Sequence, residues 1–91
     1  LKSISLGTIG DCFSELNQPK EAYQYYQKAF KNSENIYTTP KYLFKAAIIG
    51  SELGEYRSAI NYLNRIKEEF PDSYESNLVE VQLGRIENLN N

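Results

Sequence analysis

Gly10-Asp11-Cys12-Phe13-Ser14-Glu15-Leu16-Asn17-Gln18-Pro19-Lys20-Glu21-Ala22 lies over Ala47-Ile48-Ile49-Gly50-Ser51-Glu52-Leu53-Gly54-Glu55-Tyr56-Arg57-Ser58-Ala59 at an offset of 37 residues. Ser-Glu-Leu coincides in the two copies, Ala22 falls on Ala59, and Tyr26 falls on Leu63. Self-similarity at a period of about 20–50 residues marks stacked repeats, in which each unit covers its neighbour's apolar face.

Around these segments the apolar residues recur every three or four positions, the period of one helix face. Leu6, Ile9, Gly10, Phe13 and Leu16 form the first stripe. Asn17-Gln18-Pro19 interrupts it, and Pro at a helix start opens a second over Ala22, Tyr23, Tyr26, Ala29 and Phe30. Thr39-Pro40 reads as a hydroxyl cap with Pro at the first helical position, ahead of Leu43, Ala46, Ala47, Gly50 and Leu53. Gly54 is placed to end that helix in the left-handed conformation. Tyr56, Ala59, Ile60, Leu63, Ile66 and Phe70 continue the spacing, and Pro71 stops it. Asp72 or Ser73 can cap a last helix whose buried face is marked by Val79, Leu83 and Ile86. The reading is five helices with breaks near 17–19, 33–39, 54–55 and 71–73, and no strand.

The pattern resembles tetratricopeptide repeats. Leu43, Ala46, Ala47, Leu53-Gly54-Glu55-Tyr56, Ala59, Leu63, Ile66 and Phe70-Pro71 carry the likeness in the second repeat, and Leu6, Ile9, Gly10, Phe13, Ala22, Tyr26 and Ala29 in the first. Gly10, Ala22, Ala47 and Ala59 stand where two helices of a pair cross closely and a longer side chain would force the axes apart. The family period is about 34, so three residues are extra here, placed between Ser33 and Thr39. Asn17-Gln18-Pro19 departs from the usual Gly-acid-Tyr. The resemblance implies an all-α fold of antiparallel helix pairs stacked as a right-handed superhelix of about two and a half repeats. It is a single domain over 1–91, with repeats at 3–36 and 40–73 and a terminal capping helix at 74–90. Arg65-Ile66-Lys67-Glu68-Glu69-Phe70-Pro71-Asp72-Ser73 and the approach to Leu83-Gly84-Arg85 are similar in style to bacterial cell-envelope members, outer-membrane-assembly lipoproteins and Tol-Pal coordinators. That narrower likeness points to the envelope or periplasm, with a cytoplasmic location left open.

Composition narrows the chemistry. With 10 basic and 12 acidic residues, a net charge of −2 gives no electrostatic footprint for nucleic acid. No apolar run approaches the roughly 20 residues that span a bilayer, so this segment does not insert directly. There is no His and one Cys, which removes the commonest general base, a disulfide and a cysteine-rich zinc site. Cys12, spaced among Ile9, Phe13 and Leu16, reads as an ordinary small side chain. Glu68-Glu69 and Asp11/Glu15 could in principle do acid–base work, but adjacent helical carboxylates point different ways and nothing desolvates them. No cofactor or metal pattern is present, and the chain does not read as an enzyme.

The resemblance implies A helices that line a concave groove through Ile4, Gly7, Asp11, Ser14 and Glu15, then Lys41, Phe44, Lys45, Ile48, Ser51 and Glu52, then Leu78, Val81 and Arg85. Lys41 and Lys45, four apart, could receive a carboxylate or acidic segment above an apolar floor of Phe44 and Ile48. Equally, the lysines could be solvated or neutralised by Asp11 and Glu15. The family's carboxylate clamp needs Asn where Asp11 and Ile48 stand, so that clamp does not carry over. Among eight tyrosines, Tyr26 and Tyr56 are expected in the core.

The functional expectation is a protein- or peptide-binding scaffold that uses the concave face through Asp11, Glu15, Lys41, Phe44, Lys45, Ile48 and Arg85. The alternative is a set of structural spacer or capping repeats with no ligand of their own. Glu87, Asn88, Asn90 and Asn91 around Leu89 resemble a polar cap. Leu1, Ile4, Leu6 and Ile9 begin without a cap signal, which suggests the carboxyl-terminal part of a longer protein. It also suggests an apolar patch at residues 1–13 through which the chain could self-associate.

Overall fold

A computed structural model of the chain describes residues 3–32 and 34–90, with side chains in the first helix described from Leu6 onward. Expectations that fall on Leu1, Ser33, Asn91 and the Ile4 side chain lie outside the described residues. Among the described residues five α-helices run in order: α1 Ser3–Glu15, α2 Pro19–Asn32, α3 Thr39–Glu52, α4 Tyr56–Glu69 and α5 Val79–Asn90. No strand occurs among the described residues. Each helix packs chiefly on its neighbours in sequence, and the connections inside each pair are so short that the two helices must run antiparallel. The 17 Å thickness is that of two helix layers.

Small residues set the spacing. Ala22, Ala29, Ala46, Ala47 and Ala59 are completely buried, and Gly10 lies so close to α2 that a Cβ there would meet the Tyr26 ring at 2.7 Å and the Ala22 carbonyl at 3.4 Å. Leu43, Leu63, Ile66, Val79 and Ile86 fill the space between repeats. Aromatic rings join the layers: Tyr26 stacks on Tyr42 at 6.1 Å between centroids, and Phe30 meets Tyr62 edge-on at 5.0 Å. Tyr26 is in the core as expected, while Tyr56 packs against it half-buried.

The two repeats end their first helices identically despite different residues. Gly54 has φ +84°, its N–H donates to the Ser51 carbonyl, and the Glu55 N–H donates to the Gly50 carbonyl at 2.8 Å. One period earlier, Asn17 has φ 58°, with Asn17 N–H on the Ser14 carbonyl and Gln18 N–H on the Phe13 carbonyl at 2.9 Å. Asn tolerates the left-handed region better than other side-chain-bearing residues, so the departure at Asn17 changes the residue and leaves the turn intact.

Several local expectations are corrected. Leu16 is 65% exposed: α1 has ended at Glu15, and the turn carries the last member of the stripe off its face. Cys12 is an exposed free thiol, which is compatible with the ordinary small side chain expected there. Thr39 does not cap α3. It is the first residue of that helix, and Asn35 holds the turn ahead of it, its Oδ1 accepting the Tyr37 and Thr38 N–H groups at 2.8 and 2.7 Å, while its own N–H donates to the Thr39 hydroxyl at 2.8 Å. The chain turns helically before Pro40, so the free amides come earlier than the proline suggested. Ser73 does cap, but the segment it caps is a 3-10 turn, Glu75–Leu78, and the α-helix proper begins only at Val79 rather than near 74. At the amino end, Leu6 is buried in the core, Phe13 packs half-buried against it and Ile9 is partly exposed, so the described part of the expected patch is largely but not wholly covered. Glu87, Asn88 and Asn90 are exposed around Leu89, which is itself 49% exposed.

Candidate functional site

Asp11 and Glu15 stand one turn apart on α1, and Phe44 and Ile48 one turn apart on α3. Packing through Tyr26 of α2 sets these two faces across from each other. Between them lies a hollow of about 580 Å³, lined by Asp11, Ser14, Glu15, Tyr26, Phe44, Lys45, Ile48 and Ile49. Phe44, Ile48 and Ile49 are half-buried and give it an apolar floor.

Its polar side is a connected cluster. Lys45 Nζ donates to Asp11 Oδ1 at 2.7 Å, and the Tyr26 hydroxyl donates to the same oxygen at 2.6 Å. Partial burial opposes ionisation of Asp11. The two hydrogen bonds, with the charges of Lys45 and Lys41, outweigh it and hold the carboxyl below the ordinary 3.8. Burial, and then the Asp11 hydrogen bond and charge, push the Tyr26 hydroxyl well above its usual range. Lys45 also lies 5.7 Å from the Tyr26 ring centroid and 5.8 Å from that of Tyr42. A carboxylate so held is a weak base, so the cluster shapes the hollow.

Of the seven residues expected to bind a partner, Asp11, Glu15, Phe44, Lys45 and Ile48 come together here. Two do not. Lys41 is exposed, with its ammonium over the Tyr42 ring at 5.4 Å, outside the hollow. Arg85 spans the next interface: its Nη2 donates to Ser51 Oγ at 2.7 Å and its Nε to Gln82 Oε1 at 2.7 Å. Ser51 is 2% exposed, and Arg85 gives its hydroxyl oxygen a partner while the hydroxyl itself donates to the Ile48 carbonyl. Tyr26 and Ile49 are additions. Tyr26 was detectable in principle, because its repeat equivalent is Leu63 and a buried hydroxyl at a leucine position requires an acceptor. Among the described residues no acidic or Cys cluster could hold a metal ion, and no helix is long and apolar enough to cross a membrane.

Antiparallel helix pairs, repeated at a fixed period with small residues at each crossing, define a helical-repeat protein. Sequence models of the tetratricopeptide repeat match residues 4–36 and 41–73, and the chain belongs to that family. No curated protein and no solved structure matches it. Repeats of this family generally mediate protein–protein interactions and are generally scaffolds rather than enzymes.

Proposed function

We propose that the chain is a peptide-binding scaffold whose docking site is the hollow between α1 and α3. One observation carries the reading: residues expected on the groove from the family resemblance, Asp11, Glu15, Phe44, Lys45 and Ile48, line a single hollow with an apolar floor. Its charge favours an apolar anchor over a carboxylate. Lys45 already holds Asp11, and Glu15 makes no ion pair among the described residues, so an incoming carboxylate would have to displace one anion and approach another. The occupant is therefore a peptide segment that places an aliphatic or aromatic side chain on Phe44, Ile48 and Ile49.

Selection of displayed peptides on the wild-type chain, followed by affinity measurement on variants, tests this. Ile48→Asp should weaken selected peptides by about tenfold or more, since a buried apolar anchor contributes on the order of 1.5–3 kcal/mol. Lys31→Gln, on an exposed position of α2 outside the hollow, should leave them unchanged. Peptides insensitive to Ile48→Asp, or retention only through the ends of the array, would favour a purely structural role as spacer or cap.

A further inference from the structure

Six of the eight tyrosines pack against the core or lie within it. The other two, Tyr37 and Tyr74, are 80% and 72% exposed, and neither ring stacks on another among the described residues. They stand one repeat period apart, each in a turn that joins one helix pair to the next. Both line a second hollow, of about 440 Å³, that shares no residue with the first. Ile36, 67% exposed, and Phe70 with Pro71 complete its apolar surface.

Among the described residues, the charge that lines this hollow has one sign. Glu69, Asp72 and Glu75 line it, and no described Lys or Arg does. Arg65 pairs with Glu69 at 3.1 Å, but Asp72 and Glu75 have no ion pair among the described residues. The turns are also held in place before anything binds. Asn35 fixes the backbone at Tyr37 and Thr38, while Ser73 Oγ donates to the Phe70 carbonyl and Ser76 Oγ to the Pro71 carbonyl, each at 2.7 Å. Preformed aromatic surface lowers the ordering cost of association.

We propose that these two turns form a second docking surface, for a segment of a partner protein in which Lys or Arg stands beside an apolar residue. Tyr37 and Tyr74 offer ring faces to the cation, Asp72 and Glu75 complement its charge, and Ile36, Phe70 and Pro71 receive the apolar neighbour. The same anionic rim disfavours nucleic acid and anionic membrane surfaces. This surface is independent of the groove between α1 and α3, so either reading can fail alone.

The test is a titration of the whole chain, followed by backbone amide NMR. One probe is a short synthetic peptide that alternates Arg with Leu and Pro; the other carries Glu at every Arg. The Arg peptide should shift the Tyr37, Tyr74 and Glu75 amides saturably, and the Glu peptide should not. Tyr37→Ser with Tyr74→Ser should weaken the Arg peptide by about five- to thirtyfold, the loss of two exposed cation–π contacts. Asp72→Asn with Glu75→Gln should flatten its salt dependence. Both tyrosines are exposed, so an unchanged melting temperature will establish that the double variant is folded. Equal shifts by the two peptides, no shifts at the turns, shifts confined to Phe44 and Ile48, or a tyrosine double variant that binds normally would each overturn the proposal.

Discussion

Gly10→Ala in α1 and Gly84→Ala in α5 make the same chemical change inside a helix, and should move stability in opposite directions. In a helix interior Ala is favoured over Gly by about 0.5–1 kcal/mol. At Gly84 nothing lies within 4 Å of the new methyl, so that preference should appear almost undiluted. At Gly10 the methyl would sit 2.7 Å from two carbons of the Tyr26 ring, closer than real contacts allow. Tyr26 is 3% exposed and tethered to Asp11 at 2.6 Å, so the ring cannot yield without disturbing the core or that hydrogen bond. Overpacking costs about 1–3 kcal/mol, and a weakened hydrogen bond to a charged group adds roughly 1 kcal/mol. Less the helix-propensity gain, the net is about 1–3 kcal/mol of destabilisation. For a domain of this length each kcal/mol moves Tm by about 4–8 °C. Thermal unfolding followed by far-UV circular dichroism should show Gly10→Ala melting at least about 5 °C below wild type and Gly84→Ala a few degrees above it. If both variants shift the same way, the close crossing of α1 and α2 at Gly10 is wrong.

Ala59 is fully buried at the matching crossing of the second repeat, so Ala59→Leu should cost about 1–3 kcal/mol by urea unfolding. Lys67→Leu should cost at most about 1 kcal/mol, because the Lys67–Glu80 ion pair is exposed. Gly54→Ala should destabilise by about 1–2 kcal/mol through its φ of +84° alone, since no atom lies near the new methyl, and Asn17→Gly should stabilise slightly. Asp11, whose carboxyl is held below 3.8, contributes stability that is present above that pH and lost as pH falls through its folded-state pKa. The stability difference between wild type and Asp11→Asn should therefore be constant near neutrality and vanish on acidification below pH 3.8; a difference that persists in acid would show that the ionised carboxylate is not its source.

The features legible in the chain are those that depend on residues close together in sequence. Apolar spacing marks the helices, Pro19, Gly54 and Pro71 mark breaks through their own backbone restrictions, and the duplicated Ser-Glu-Leu shows the period that makes neighbouring units stack. The period fixes the register, and the family resemblance that it carries supplied the expectation of a groove through Asp11, Glu15, Phe44, Lys45 and Ile48. Where local signals competed, sequence was less decisive. Thr39 begins α3 instead of capping it and Asn35 holds the turn before it, Asn17 took the role of Gly, and a 3-10 turn occupied the approach to Val79, because backbone geometry at those points answers to the helices packed on either side. Only the tertiary structure could decide contacts between residues some 34 positions apart: Lys45 on Asp11, and Arg85 on Ser51. It alone brought Tyr37 and Tyr74 to one hollow and left them uncovered. Repeat register places such residues on facing elements, but whether a long side chain crosses the gap, and toward which partner, depends on an interhelical distance that the small residues set only once the repeats have stacked.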